Sequence, residues 1–472
     1  MTHIRILRHY IHTPFVVLAV FELLICFCAA YLGYFTRFQT FPASSAYFGP
    51  AALFALTLVL SFMAMGVYGS RLREGFVGMT LRTAVSIFLI STIGISIVTF
   101  LLPDYGMGRG VYLLSASEAF ILLIVSRWLT AHLIDEDALK RVVLVLGTGT
   151  RAAKIATRMR RRSDRRGFIL HGYHQLAGTA DVISQHDAGI VQCDVSLAAY
   201  CEQHGIHEIV VAVDDRRNTD LSNGAGLPMD ELVECRMNGV EVTDVLAFIE
   251  REAAKLDVDL LQPSWIAFSD GFIVSTRRQI TKRAFDLVAA TALFLVVWPI
   301  IAVTALAIAV SSRFKLPVFY KQARVGLNGV VFDVIKFRSM SVDAEADGAV
   351  WAAADDPRVT RIGNFIRQTR IDELPQLLNV IRGDMSFVGP RPERPVFVEE
   401  LNREIPYFDQ RHRIKPGITG WAQLCYPYGA SIDDHKHKLE YDLYYLKNNS
   451  LVLDVIILLQ TLEVVLAGDG AR

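Results

Sequence analysis

Between residues 336 and 423, arginines and a few carboxylates gather in short polar stretches that could bind and transfer phosphate. Lys336 and Arg338 follow a strand-like segment, and Asp372 and Glu373 come later along the chain. A planar guanidinium matches two phosphate oxygens at once, and carboxylates hold Mg²⁺, which neutralises phosphate charge. This mixture is typical of phosphoryl transfer, which depends mainly on positioning and on stabilising charge.

Asp372 and Glu373 are adjacent, so on an α-helix their side chains would point about 100° apart and could not form a face-sharing acid–base pair. One carboxylate could attack phosphorus while the other holds a metal ion, because an aspartate is already ionised at neutral pH. Arg367 and Arg370 would reduce its repulsion with the phosphate. Alternatively, both carboxylates form a solvated helix start before the apolar run 374–380. Residue types alone leave both interpretations open.

The chain that must position these groups is strongly apolar. Of its 472 residues 52% are hydrophobic and 20% are charged, and its mean hydropathy is +0.34. The 48 basic and 48 acidic residues cancel, so overall charge does not favour nucleic acid as a partner. Six cysteines without a CxxC pair argue against a zinc site or a disulfide framework. Four apolar runs are each long enough to span a membrane: 14–35, 48–69, 83–102 and 111–134.

Basic residues cluster on one side of these predicted spans. They are Arg5, Arg8, Arg71, Arg73, Arg82, Lys140, Arg141 and Arg151. The positive-inside rule therefore places the N-terminus and everything after residue 135 in the cytoplasm. Glu22 lies inside the first span, where a charge is costly. It is either a functional residue or a helix-contact or protonated carboxyl.

The middle of the chain has the pattern of a parallel α/β sheet, with predicted strands at 141–146, 168–173 and 208–213. The sequence GTGTRA at 147–152 is similar to the dinucleotide-binding fingerprint. However, no acidic residue closes the second strand, where a ribose hydroxyl would be held, and His171 occupies that region. The segment is therefore either a nucleotide site or a structural or regulatory module.

A fifth apolar segment at 284–312 contains Pro299 near its middle. Basic residues flank it on both sides, which suits a helix that enters the membrane and returns to the same leaflet. The proline removes one backbone donor and clashes with the preceding turn, so it supplies the break. The alternative is a kinked transmembrane helix, in which neighbouring groups satisfy the backbone.

Several motifs together resemble the monotopic phosphoglycosyl transferases, the bacterial polyprenyl-phosphate hexose-1-phosphate transferases. The likeness covers roughly 280–472, and the spans with an α/β domain resemble the long form of that family. The motifs are KRAFD at 282–286, KFRSM at 336–340, DELPQ at 372–376, GDMS at 383–386, GPRP at 389–392 and KPGITGW at 415–421.

The resemblance implies an α plus α/β membrane protein in three parts. A four-helix transmembrane domain would occupy 1–138, and a Rossmann-like cytosolic domain would occupy 139–275. A mostly helical catalytic domain would fill 276–472, with a re-entrant membrane helix near 284–312. Both termini and the catalytic domain would face the cytoplasm, at the inner membrane of a bacterium.

The implied activity is transfer of hexose-1-phosphate from a UDP-sugar to undecaprenyl phosphate, with release of UMP. This step would require Mg²⁺ and would initiate exopolysaccharide, capsule or O-antigen units. The implied partners are the UDP-sugar, undecaprenyl phosphate and membrane lipid, without nucleic acid, and a homodimer is compatible with this interpretation.

The family's functional residues map onto matching positions of this chain. Asp372 would attack the β-phosphate and form a phosphosugar–aspartyl intermediate. Glu373 would bind Mg²⁺ together with Asp372 or assist proton movement, and Pro299 would mark the bend of the membrane hairpin. The residues that would bind phosphates or the uridine nucleotide are Arg367, Arg391, Lys336 and Arg338.

Two other functions remain open from the sequence. One is a membrane-anchored nucleotide sensor without catalysis, which would use the GTGTRA turn. The other is a sugar-nucleotide oxidoreductase or dehydratase, but residues 141–275 lack the Tyr-x-x-x-Lys pair that it would require.

Overall fold

The computed structural model describes residues 3–6, 9–42, 44–65, 67, 76–133, 140–159, 165, 167–176, 181–183, 189–214, 227–273, 275–341, 358–426, 429 and 431–467. Arg8, Arg71 and Arg73, on which the predicted orientation partly depends, lie outside these residues. The chain divides into two compact units, one drawn mainly from Tyr10–Ala254 and the other mainly from the residues that begin at Lys255. The division into three domains stays a prediction.

The elements follow one another along the chain in both units. The helices are α1 (Thr13–Phe38), α2 (Ser44–Ala64), α3 (Phe76–Val85), α4 (Ser91–Leu101), α5 (Arg109–Leu133), α6 (Thr150–Arg158), α7 (Leu197–Gln203), α8 (Met229–Met237), α9 (Val245–Ala253), α10 (Pro263–Phe268), α11 (Thr276–Ser311), α12 (Arg361–Gln368), α13 (Leu377–Arg382), α14 (Pro395–Glu404), α15 (Trp421–Cys425), α16 (Ile432–Asn448) and α17 (Leu451–Ala467). The strands are β1 (His3–Ile6), β2 (His9–His12), β3 (Arg141–Leu146), β4 (Phe168–His174), β5 (Ile190–Val191), β6 (Glu208–Val211), β7 (Glu241–Asp244), β8 (Phe319–Val325), β9 (Val331–Phe337), β10 (Ser386–Val388) and β11 (Gly417–Thr419).

Five helical segments within the described residues are long and apolar enough to cross a membrane. They are Val16–Phe38, Ala46–Ala64, Gly78–Leu101, Arg109–Thr130 and Thr276–Ser311. The first four coincide with the predicted runs, and the third contains a π-helical turn at Ser86–Ile90 between α3 and α4. The fold is therefore helical, with an additional α/β sheet region.

Glu22 is a helix-contact residue. Its carboxylate receives two hydrogen bonds from the Arg127 guanidinium, at 2.6 and 2.9 Å, and the side chains are 0% and 3% exposed. Arg127 also donates to the hydroxyl of Thr83 and lies over the ring of Phe62. One ion pair therefore ties α1 to α5 and reaches α2 and α3, where an unpaired charge would be strongly destabilising.

The α/β region is a five-stranded sheet in the order β5-β4-β3-β6-β7, and every neighbouring pair is parallel. β3, β4 and β6 confirm the three predicted strands to within a few residues. Where β3 and β6 begin, Arg141 and Arg251 both bind the fully buried carboxylate of Glu208. An unpaired buried charge is strongly destabilising. This network therefore favours one alignment of β3, β6 and α9, the elements that carry the three residues.

The turn between β3 and α6 holds a carboxylate of the chain itself. Asp214 follows β6, and its two oxygens accept from the N–H groups of Thr150 and Arg151, each at 2.8 Å. A side chain at Gly149 would collide with this carboxylate, because a Cβ there would lie 2.2 Å from it. Asp214 therefore caps the N-terminus of α6, the position at which a dinucleotide phosphate would bind.

In the second unit, β8 and β9 form an antiparallel hairpin in which Tyr320 faces Lys336. β10 and β11 form a separate parallel pair. α11 is one continuous helix with Pro299 inside it, and it packs on the unit along both halves. Ala290 joins a cluster with Val334, and Ile308 joins another with Phe337.

The start of α11 is tied to the C-terminal helices by a buried ion pair. Lys282 binds the carboxylate of Asp454 at 2.7 Å, and the hydroxyl of Tyr445 donates to the same carboxylate at 2.6 Å. Asp454 is 1% exposed. Asp454 therefore ties the apolar helix α17 to α11 and α16 within the second unit.

Candidate active site

Asp372 and Glu373 lie on a 3₁₀-helix, Ile371–Gln376, and not on an α-helix. Arg370 precedes this helix with a φ of +59°, in the left-handed region that side chains seldom adopt. It turns the chain out of α12, and the N–H of Glu373 donates to its carbonyl at 3.2 Å. This strained corner fixes the start of the short helix that carries both carboxylates, and such strain is common at functional sites.

Glu373 holds two cations on one carboxylate oxygen. The ammonium of Lys336 donates to its Oε1 at 3.1 Å and the guanidinium of Arg391 donates to the same atom at 3.0 Å. Burial alone would raise the pKa of Glu373, but Lys336 and Arg391 outweigh it and hold that pKa well below its usual range. Glu373 is therefore an anion that draws two cationic side chains together.

Asp372 is buried, with 9% of its surface exposed. Burial raises the pKa of its carboxyl to about 6, and the adjacent charge of Glu373 adds to the rise. Lys336, Arg370 and Arg391 oppose that rise. A solvated helix start would not show such burial, whereas a poorly hydrated carboxylate that is still mostly ionised at neutral pH suits a nucleophile.

The loop that carries Arg391 is held by two arginines that the sequence did not single out, of which Arg411 is buried and Arg324 is partly buried. Arg324 on β8 donates to the carbonyl of Pro392 at 3.0 Å, and Arg411 donates to the carbonyl of Arg391 at 2.9 Å. Arg411 is itself paired with the buried carboxylate of Asp442 at 2.8 Å. These contacts fix the backbone from which the Arg391 guanidinium reaches Glu373.

Polar side chains also fix α13, the helix that follows the dyad formed by Asp372 and Glu373. Asn379 on α13 is fully buried, accepts from the N–H of Ile335 and donates to the carbonyl of Asp333. Arg283 donates to the carbonyls of Val380 and Ile381 in the last turn of α13, where carbonyl groups commonly need partners from outside the helix. These bonds lock α13 to β9 and α11, so the dyad and Lys336 keep their relative positions.

The structure brings some predicted site residues together and leaves others apart. Asp372, Glu373, Lys336 and Arg391 meet in one cluster. The Arg367 side chain makes no hydrogen bond or ion pair with that cluster among the described residues. Within the same part of the chain, one terminal guanidinium nitrogen of Arg338 is buried without a hydrogen-bond partner.

A metal site has a limited set of donors here. The described residues contain no group of three or more histidine, cysteine or acidic side chains that could hold an ion. Mg²⁺, however, is commonly held by one or two carboxylates together with substrate phosphates and water. The adjacent carboxylates of Asp372 and Glu373 fit that kind of site.

The model of the bacterial sugar transferase family matches residues 277–468, which include the whole cluster. An uncharacterized sugar transferase, EpsL, of Bacillus subtilis is 40% identical over 197 residues, which make up 41% of this chain and 91% of that protein. This chain belongs to the bacterial sugar transferase family. The resemblance of its motifs to polyprenyl-phosphate hexose-1-phosphate transferases is thereby confirmed.

Two other relatives have names that state a reaction. The UDP-N-acetylgalactosamine-undecaprenyl-phosphate N-acetylgalactosaminephosphotransferase of Aeromonas hydrophila is 40% identical over 266 residues, 56% of this chain and 60% of that protein. The undecaprenyl-phosphate glucose phosphotransferase of Komagataeibacter xylinus is 34% identical over 331 residues, 69% of this chain and 59% of that protein. The sugar transferase described here thus aligns with about three fifths of each of these relatives.

Proposed function

We propose that this sugar transferase moves a hexose-1-phosphate from a UDP-sugar to undecaprenyl phosphate and releases UMP. The observation that carries the proposal is the cluster in which buried Asp372 lies beside Glu373, which itself holds Lys336 and Arg391. The names of relatives from Aeromonas and Komagataeibacter support undecaprenyl phosphate as the acceptor. The product would initiate a surface polysaccharide unit.

In the first step a carboxylate oxygen of Asp372 attacks the β-phosphorus of the UDP-sugar. The bond from that phosphorus to the bridging oxygen breaks, and UMP leaves with the oxygen and its electron pair. In the second step a phosphate oxygen of undecaprenyl phosphate attacks the same phosphorus and releases the aspartate. Because of this covalent intermediate, the water-soluble donor and the lipid acceptor react in two successive steps.

The charges of the cluster favour these steps. Glu373 with Lys336 and Arg391 carries one net positive charge, which offsets the repulsion between the Asp372 carboxylate and the incoming phosphates. Because Glu373 fixes both cations before substrate arrives, little reorganisation is needed when charge develops. Arg367 and Arg338 would assist only by turning towards the bound nucleotide.

Mg²⁺ fits the donor set and would be held by Asp372 and Glu373. When bound, it would supply further neutralisation of the diphosphate charge. Asp372 would keep its role as the proposed nucleophile beside the ion.

The membrane arrangement that we propose has four spans and one re-entrant helix. A straight α11 would be about 54 Å long, which exceeds a hydrocarbon core of about 30 Å. Ala290 and Ile308 would lie about 27 Å apart on such a helix, yet both pack on strand β9 of the same unit. A bend at Pro299, with both ends on one side of the membrane, is consistent with these contacts.

The outer face of α11 supports insertion into lipid. Val296 and Val303, on either side of Pro299, are 73% and 68% exposed. An exposed apolar face of this kind is costly in water. The dyad would then lie at headgroup level, where the phosphate of undecaprenyl phosphate resides.

The middle sheet is proposed to be a Rossmann-like structural or regulatory module rather than the centre of a nucleotide sensor. Asp214 occupies the N-terminus of α6, so a phosphate there would meet a carboxylate. The catalytic unit and both chain ends are proposed to face the cytoplasm of a bacterial inner membrane, and association as a homodimer remains part of the proposal.

Release of UMP from a UDP-sugar tests this function. Purified protein with Mg²⁺ and undecaprenyl phosphate should release UMP from UDP-N-acetylgalactosamine or UDP-glucose. Asp372→Asn should lower that rate at least about a thousandfold, because an amide cannot form the acyl phosphate. Glu400→Gln, an exposed change on α14, is the matched control. Absence of UMP release by the unaltered protein with either donor would reject the enzymatic function.

A further inference from the structure

A cleft of about 300 Å³ beside the hairpin has no role in the steps above. Its walls include Tyr320 and Gln322 on β8 and Arg394 and Pro395 at the start of α14. This volume is at the lower end of the range for small-molecule sites. It is large enough to hold one flat ring with part of its attached sugar.

The hairpin register places this cleft next to the dyad. Tyr320 is the cross-strand partner of Lys336, and paired residues project from the same face about 5 Å apart at Cβ. Lys336 in turn binds Glu373. Arg324, two residues after Gln322, lines a smaller cavity with Lys336 and Arg391. A ligand with phosphates at these cations would therefore have its next group beside Tyr320.

Arg324 determines which end of the Gln322 amide is turned away from it. A guanidinium only donates, and Arg324 donates twice to Oε1 of Gln322, at 3.1 and 2.5 Å. The amide nitrogen, which carries two N–H groups, must therefore lie on the other side, where it donates to the hydroxyl of Tyr320 at 3.4 Å. The cleft is thus walled by an aromatic ring and by the donor end of an amide.

We propose that this cleft binds the uracil nucleoside of the donor, an inference that rests on the function proposed above. An aromatic face stacks on a base, and an amide donor matches a uracil carbonyl oxygen. Lys321 and Arg394, which also line the cleft, suit the phosphate attached to the ribose. None of the lining residues is acidic, so no carboxylate of the cleft would repel the phosphates of the nucleotide.

Inhibition by UMP distinguishes binding of the nucleoside in the cleft from binding of the hexose, because UMP carries no hexose. Tyr320→Ala should raise both the KM for the UDP-sugar and the inhibition constant of UMP by roughly tenfold, with little change in kcat. Tyr320→Phe keeps the stacking ring and should change both constants less than about twofold. A raised KM with an unchanged UMP constant would assign the cleft to the hexose and overturn the inference, as would no change in either constant.

A change at Gln322 tests base recognition. Gln322→Glu replaces a donor by an acceptor, so inhibition by UMP should weaken relative to inhibition by CMP, whose amino group donates. An unchanged preference between UMP and CMP would contradict the inference. If the unaltered protein turns over no UDP-sugar, the proposed function itself fails, and that result is distinct from both outcomes at the cleft.

Discussion

As the proposed nucleophile, Asp372 should be poorly hydrated and yet ionised at neutral pH. Its environment meets both conditions, because burial raises its pKa to about 6 while Lys336, Arg370 and Arg391 limit the rise. Glu373 has the opposite role. It keeps its charge and fixes the cations, although the two residues are adjacent in sequence.

The raised pKa predicts how activity depends on pH. The rate of UMP release at low UDP-sugar concentration should fall as the pH drops below about 6, because protonation of Asp372 removes the nucleophile. In Glu373→Gln the neighbouring negative charge is gone, so the midpoint of any remaining activity should move to lower pH. A pH profile that is flat between 5 and 8 in the unaltered protein would contradict the assignment of Asp372.

The same pKa makes a prediction for stability. A carboxyl with a raised pKa in the folded state favours folding only when it is protonated, so its charge destabilises the protein above pH 6. Asp372→Asn should therefore stabilise the second unit by about 3 kcal/mol at pH 8 and by about half as much at pH 5. Thermal unfolding of both proteins at these two pH values measures the difference, and a variant that is less stable at pH 8 would refute it.

The sequence predicts site residues that are neighbours along the chain better than site residues that come from distant segments. Asp372 and Glu373 are adjacent and precede an apolar run, so their pattern is visible without a structure. Arg324 and Arg411 are separate basic residues whose shared task, holding the loop around Arg391, emerges only when distant segments meet. Glu22 was recognisable as costly, but its partner Arg127 lies 105 positions away.

At the scale of elements, the alternation of apolar strands and helices predicts β3, β4 and β6 because parallel strands are buried on both faces. The GTGTRA turn also forms as expected between β3 and α6. The sequence did not predict that Asp214 binds the N–H groups of this turn. Asp214 follows a different strand, β6, and reaches the turn only in the folded structure. A fingerprint in the sequence therefore does not establish a ligand.

This arrangement predicts a structural role for Asp214. Asp214→Ala should lower the thermal stability of the first unit, by about 1 kcal/mol, because two N–H groups at the start of α6 lose their acceptor. Neither NADH nor UDP should raise the melting temperature of this unit in the unaltered protein. Glu202→Ala on α7 is an exposed control. Tight binding of NADH that Asp214→Ala abolishes would instead make this residue part of a nucleotide site.

At the scale of the whole molecule, the proposed function needs one catalytic unit in contact with both water and lipid. The apolar, exposed residues of α11 would provide the lipid side, and the dyad lies on an element packed against this helix. The four N-terminal spans would anchor the chain. Sequence hydropathy predicts each of these helices. It cannot distinguish a re-entrant helix from a transmembrane helix, because both are equally apolar.

Labelling of introduced cysteines distinguishes a re-entrant helix from a fifth span. In a variant without the six native cysteines, cysteines at Ser275 and Ser312 flank α11 on both ends. An impermeant thiol reagent should label both only from the cytoplasmic side. A site labelled from the periplasm would indicate that α11 crosses the membrane, and the catalytic unit would then need another orientation.

The most direct test of the account is the mass of the peptide that contains Asp372 during turnover. Protein incubated with Mg²⁺ and UDP-sugar, but without undecaprenyl phosphate, should carry one added hexose-phosphate on that peptide. The added mass should disappear when undecaprenyl phosphate is supplied and should be absent from Asp372→Asn. An enzyme that releases UMP while this peptide stays unmodified at every time point would contradict the central claim.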